Sequence, residues 1–236
     1  DAMLDVEHIW IPVTYSLKSF KDIFELLDFG TALKQTFLVQ ISSAAIETFV
    51  CAFVAYGFAR FKFKGKPVCT FFLILSLLVP IQMYSLSMSV NYRNLHLFNT
   101  PFVYWLPSFL GVGIRSGMMI FIYQQFFVNL PKELEDAAYI DGAGPVRTYF
   151  SIALPSSSVV LVTVSVLSFV WHWNENYLTK FVLNQERTLS YLVSNATTLI
   201  SNTGSNVKIA QAIIQSCSLI LLLPTLILFF ILQRHL

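Results

Sequence analysis

The sequence predicts an all-α, polytopic membrane helix bundle, and three observations carry that expectation. Hydrophobic residues make up 56% of the 236 and charged residues only 12%, against about 25% charged in an ordinary soluble domain. Five segments are long and apolar enough to cross a bilayer, which takes about 20 consecutive, mostly apolar residues. None of the five alternates polar and apolar residues as a barrel strand must, and lipid offers no water to unpaired backbone groups, so each is expected to be helical.

Taken in order, the first span is expected over residues 36–59 and the second over about 68–90, interrupted by Pro80 and Gln82. The third covers 101–127 and is the most interrupted, with Gly111, Gly113, Arg115 and Gly117 in its middle. The fourth runs from Pro155 to Trp173 and the fifth from Ile209 to Leu232. Arg60, Lys62, Lys64 and Lys66 crowd the first short loop without an acid, and Arg234 follows the last span. By the positive-inside rule that loop and Arg234 both lie in the cytoplasm. Five spans then place residues 1–35, rich in Asp and Glu, outside, and the 128–154 loop inside. The acids of that loop outnumber its bases, a mild conflict with a rule in which acids weigh little. Nothing within 1–35 resembles a signal peptide, so a preceding membrane helix is expected. The domain reading is therefore an extracytoplasmic segment 1–35 after a missing first helix, then a transmembrane domain 36–236, with six spans in the full protein.

The composition excludes several classes. A net charge of +2 gives no sign of nucleic-acid binding. Cys51, Cys69 and Cys217 lie in apolar stretches without the spacing of a disulfide framework or a zinc site. No glycine-rich phosphate cradle or Gly-x-x-x-x-Gly-Lys-Ser/Thr run appears, so no nucleotide site or other cofactor is expected. No catalytic residue is indicated: His172 has no nucleophile or metal-spaced partner near it in sequence.

The most informative stretch is Pro131–Pro145. It is polar and acidic, yet lies between two apolar spans. Pro131 suits the first turn of a helix, and Glu133, Glu135 and Asp136 sit where the helix dipole favours negative charge. Ala137 and Ala138 are strong helix formers that leave a narrow face. Gly142 and Gly144 stop the helix, Pro145 prevents its continuation in register, and a second short helix over about 146–153 leads into the membrane at Leu154-Pro155. The product is a short helix, a sharp turn and a re-entry.

This stretch resembles the "EAA loop" of permease subunits in binding-protein-dependent ABC importers. The pattern is Glu-Ala-Ala, three residues, Gly, nine residues, Ile, one residue, Leu-Pro. Here it reads Asp136-Ala137-Ala138, Gly142, Ile152, Leu154-Pro155, with every spacing kept and one departure, Asp for Glu, which shortens the reach by a methylene. Further residues resemble the carbohydrate branch, the maltose-type permeases, in the second-permease family: Ala55-Tyr-Gly-Phe-Ala-Arg60, Leu78-Val-Pro80-x-Gln82 and Trp173-Asn174. The resemblance implies the fold of a type I ABC importer transmembrane domain. It also implies a second permease subunit, two copies of an ABC ATPase and an extracytoplasmic solute-binding protein. Glu135, Asp136, Ala137, Ala138, Asp141, Gly142, Ile152, Leu154 and Pro155 are then the expected ATPase-coupling residues, in a bacterial cytoplasmic membrane.

Polar residues inside the spans are candidates for a substrate path. A central Arg costs roughly 3 kcal/mol to insert, so Arg115 is expected either to line a water-filled route or to tie down backbone carbonyls at a kink. Gln82 could meet a sugar hydroxyl or satisfy the carbonyl freed by Pro80. Trp173 and Asn174 could stack on and hydrogen-bond a sugar, although Trp gathers at membrane interfaces in any case. Gly113-x-x-x-Gly117 is expected to serve close helix packing, and Asn195-Ala-Thr197 is a chance sequon. The leading function is thus the permease subunit of an ATP-driven carbohydrate importer. The rival is an ion-coupled secondary transporter, which needs midplane carboxylates; Glu47 is the exception in otherwise carboxylate-poor spans. A membrane enzyme would need a catalytic constellation that the sequence lacks.

Overall fold

The computed structural model describes Phe24 and residues 28–183, 188–201 and 207–232; most of the acidic segment 1–35, and Arg234, lie outside these residues. Every regular element among the described residues is helical. α1 spans Phe29–Arg60, about 48 Å at 1.5 Å per residue. The boundary expected before Thr36 therefore falls inside a helix. Residues Thr36–Ile41 form a π-helical stretch, and hydroxyls hydrogen-bond back along the helix beside it: Thr36 Oγ1 to Ala32 O at 2.8 Å and Ser43 Oγ to Val39 O at 2.6 Å. Such widened turns recur at functional positions. Here the turn carries Gln40, fully buried, whose Nε2 donates to Thr179 Oγ1 at 3.2 Å.

The second expected span is broken. α2 (Lys66–Leu78) opens after Gly65 in the left-handed region (φ 89) with Pro67 in its first turn. It stops at Val79 because Pro80 has no N–H to continue the ladder. A single 3₁₀ turn, Ile81–Met83, joins it to α3 (Ser85–Asn94). The third expected span is broken as well, into α4 (Phe102–Phe109) and α5 (Ser116–Asn129). The connecting loop contains Gly111 and Arg115 at φ 68 and 57. α5 is only about 21 Å long, short of the roughly 30 Å hydrocarbon core.

After α5 come α6 (Glu133–Ile140) and α7 (Pro145–Ser156), then α8 (Ser158–Trp173), bent from α7 by 81°. α9 (Tyr177–Val182), α10 (Leu189–Ser201) and α11 (Val207–Leu232, with Pro224 inside) complete the described chain. Among the described residues, α1 alone is long and apolar enough to cross a membrane unaided, and α7 with α8 reaches that length only as a bent pair.

The core forms where small residues let helices approach. Cys51, Ala52 and Ala55 on α1 face Met119, Ile120, Tyr123 and Phe127 on α5, all buried, as expected where packing and not hydrophobic exclusion draws membrane helices together. Both glycines of Gly113-x-x-x-Gly117 are packing residues, as expected. A Cβ on Gly117 would lie 2.4 Å from Ser76 Oγ on α2, and one on Gly113 would lie 2.6 Å from a carboxylate oxygen of Glu47 on α1.

Candidate functional site

The polar element between α5 and α8 is built by its termini. Glu133, Glu135 and Asp136 occupy the first turn of α6, where the unpaired N–H groups favour carboxylates. Pro131 lies two residues before that turn and not within it, a shift from the expected start. At the other end Gly142 (φ 80) lets the chain reverse. Its N–H donates to Tyr139 O at 3.0 Å and that of Ala143 to Ala138 O at 2.9 Å, the paired bonds of a Schellman cap. No atom would touch a Cβ on Gly142, so the position selects glycine by backbone angle alone. Pro145 opens α7 as its first residue, where a missing N–H costs nothing.

The expected coupling residues divide into two sets. Asp136, Ala137, Asp141 and Gly142 are exposed and Ala138 is half-buried; Ile140 beside them is 87% exposed. Glu135 faces the other way. It is 5% exposed, and its Oε1 accepts from Arg60 Nε at 2.7 Å, while Arg60 Nη2 donates to Leu130 O at 2.7 Å. One guanidinium therefore fastens the end of α1 to the residue after α5 and to the first turn of α6. Glu135 is an anchor within the chain and not part of the outward face. Ile152 and Leu154 are half-buried and Pro155 is exposed at the bend into α8; Leu154 packs on the α1–α5 core. Beside them Tyr149 is buried against Phe53 and Tyr56, ring centroids 5.2 Å away in each case. These residues set the base from which α6 projects.

A second polar site lies between α1, α5 and α8. His172 Nε2 stands 3.1 Å from Glu47 Oε2, both side chains fully buried. The Ser116 hydroxyl donates to Glu47 Oε1, and His172 Nδ1 faces Ser168 O at 2.9 Å. A ring nitrogen facing a carbonyl oxygen must carry a hydrogen. Nε2 is then the ring nitrogen that faces the Glu47 carboxylate. Glu175 is the nearest acid to His172 in sequence, but the carboxylate that His172 Nε2 faces is Glu47, brought by the fold from 125 residues away.

The expected substrate-path residues are not brought together as one site. Trp173 is 1% exposed, donates from Nε1 to Leu221 O at 2.8 Å and stacks on Phe169. It is a core tie between α8 and α11. Asn174 is exposed and its Nδ2 donates to Val170 O at 2.8 Å, capping α8. Gln82 is exposed on the 3₁₀ turn. Arg115 is not mid-helix: it precedes α5 in the left-handed region, exposed, with its guanidinium 5.2 Å from the Trp171 ring. Glu175 lies at the same end; burial raises its carboxyl pKa above the usual range, and its Oε1 accepts from Leu178 N–H at 2.6 Å.

An all-helical bundle of broken and bent apolar helices, with one capped polar helix pair between α5 and α8, is the architecture of a membrane transport component. Residues 48–236 match the family described as binding-protein-dependent transport system inner membrane component, and the chain belongs to that family. It is 31% identical over 181 residues to a "probable ABC transporter permease protein" of Pyrococcus horikoshii, covering 75% of this chain and 64% of that one. It is 26% identical over 209 residues to the sn-glycerol-3-phosphate transport system permease protein UgpE of Yersinia pestis, covering 87% and 70%. It is also 26% identical over 230 residues to the alpha-glucoside transport system permease protein AglG of Rhizobium meliloti, covering 95% and 59%. The chain thus spans slightly under two thirds of the Pyrococcus and Rhizobium relatives. Its fold matches that of a bacterial ABC transporter involved in alginate import, with a TM-score of 0.80 at 17% identity, over 99% of this chain and 84% of that one.

Proposed function

We propose that the chain is one of two permease subunits of an ATP-driven importer in a bacterial cytoplasmic membrane. The apolar segments expected from the sequence are its membrane crossings, the first lying within α1. The cargo is a carbohydrate, an oligosaccharide, handed over by an extracytoplasmic solute-binding protein. Two copies of an ABC ATPase supply the work, and the permease carries no catalytic group. The observation that carries this reading is the exposed face of α6, where Asp136, Ala137 and Asp141 flank an Ile140 that is 87% exposed. An isoleucine so exposed at a helix end, on an element fastened to α1 through Arg60, fits a groove on a partner. Closure of the ATPase dimer would move α6, and Arg60 would pass that movement to the spans. The name of the alpha-glucoside relative supports the substrate class.

ATP-dependent uptake in proteoliposomes containing the complete importer tests the reading. Gly142→Val in that assembly is expected to abolish most uptake while membrane insertion persists, because a β-branched residue is strained at φ 80 by at least the roughly 1–2 kcal/mol of the left-handed region. Normal uptake by the variant would remove α6 from the coupling path. The Glu47–His172 pair is the one observation that favours an ion-coupled transporter, since intramembrane acid–imidazole pairs can relay protons. Sugar movement driven by a proton gradient without ATP would establish that alternative.

Arg115 is assigned to the substrate route, with its guanidinium poised at the Trp171 ring where a sugar would compete for the same aromatic face. Arg115→Met is expected to lower the uptake rate or shift sugar preference with thermal stability unchanged. Unchanged transport with a raised melting temperature would make Arg115 a packing residue instead.

A further inference from the structure

α2 and α5 approach each other where Gly117 meets Ser76, Leu77 and the Leu73 carbonyl. Nearer the Lys66 end of α2 lies an open cleft of about 760 Å³. Its walls are Pro67, Thr70, Phe71 and Ile74 on α2 and Gln124 on α5, and its mouth is framed by Lys62, Phe63 and Lys66. This mouth lies at the same end of the bundle as α6, since Arg60, two residues before Lys62, holds Glu135. The size is that of a small-ligand pocket, but the pattern is amphiphilic: cationic at the rim, apolar below.

We propose that this cleft binds an anionic phospholipid of the cytoplasmic leaflet, its phosphate at Lys62 and Lys66 and one acyl chain between Phe71 and Ile74. The inference rests on the membrane placement proposed above and not on the transport activity. Charge complementarity selects the occupant. No Asp or Glu occurs between Glu47 and Glu133, so neither the rim nor either wall carries an acid. Lys66 Nζ donates to Phe61 O at 3.1 Å, which uses one of its three hydrogens. The first turn of α2 has no side-chain cap, and its open N–H end favours an anion. Gln124 adds a buried carboxamide oxygen without a hydrogen-bond partner, an acceptor for a headgroup hydroxyl. A free phosphate would satisfy the rim but leave Phe71 and Ile74, both exposed within this chain, facing an empty cleft. Basic pockets between membrane helices on this side are where anionic headgroups bind.

The test is native mass spectrometry of the delipidated, complete importer titrated with phosphatidylglycerol or phosphatidylcholine of the same acyl chains. Phosphatidylglycerol should be retained at lower concentration, and Lys62→Ala with Lys66→Ala should weaken it about 30-fold, given roughly a fivefold contribution from each interfacial lysine. Ile74→Trp, which fills the cleft and spares both lysines, should weaken it too. Lys64→Ala, outside the lining, should leave it unchanged. Equal retention of the two lipids, or equal effects of Lys64→Ala and Lys62→Ala, would overturn the site. Displacement of the lipid by millimolar inorganic phosphate would also overturn it, showing an anion site without a lipid. Retention unaffected by Ile74→Trp would show that the acyl chain lies elsewhere, for instance because the second permease fills the cleft.

Discussion

Glu47→Leu is expected to lower the melting temperature of the detergent-solubilised protein more than any other single change within the spans. Removing one member of a buried ion pair costs roughly 3–5 kcal/mol, because its partner is left without compensation. In a domain of this size that is a fall of about 10 °C, at the 2–4 °C per kcal/mol typical of 150–250 residues. The variant strands His172 Nε2 and the Ser116 hydroxyl in a site with no solvent exposure. The expectation has a second arm. Replacing a whole buried pair with apolar residues is often neutral or stabilising, so Glu47→Leu with His172→Leu should regain most of the loss. A single variant as stable as the parent would show that the pair contributes nothing, and a double variant worse than the single would show that the two side chains act separately. Gly113→Ala adds an independent check, since its Cβ would press on the Glu47 carboxylate. It should be destabilising in the parent and milder beside Glu47→Ala.

The pairing of these two residues is not legible in the sequence for a physical reason. Glu47 and His172 are 125 residues apart and sit on helices whose order in the chain says nothing about which faces meet. Each looked isolated because the partner of a buried charge is chosen by packing. The reverse holds for the loop at 131–155. Its helix start, its glycine stop and its second helix follow from local rules about dipoles, left-handed angles and proline, and the structure forms all three within two residues of the expected places. The second and third spans lie between these cases. Pro80 marks its break in the sequence, whereas the break at Arg115 depends on a non-glycine residue adopting a left-handed angle, which propensity does not anticipate. The surroundings of Trp173 are illegible for a further reason. An interfacial tryptophan and one buried against a later helix look the same until Leu221 is seen to accept its N–H.

Glu135 shows how far a motif can be read without its contacts, and it carries the second large expectation. By sequence it stands beside Asp136 as a residue presented to the ATPase; in the structure it faces the protein. Two variants separate the roles. Glu135→Ala should leave Arg60 buried and half-paired, releasing α6 from the end of α1. Since α6 is eight residues at the edge of the bundle, the loss should appear as local opening and not as global unfolding. Amide exchange over residues 133–140 should accelerate by about 100-fold, the equivalent of the roughly 3 kcal/mol lost when a buried pair is broken. Uptake should fall with it, because a detached α6 cannot pass movement to α1. Arg60→Lys should fail to restore either, since an ammonium is a point charge and cannot hold a carboxylate and the Leu130 carbonyl in a fixed fork. Asp136→Ala, on the exposed face, should reduce coupling and leave exchange in α6 unchanged. If Glu135→Ala instead leaves exchange unchanged while uptake collapses, Glu135 acts on the ATPase directly and the anchoring role assigned to it is wrong. The two carboxylates are adjacent in sequence, yet one is expected to carry force inward through Arg60 and the other to receive it from outside.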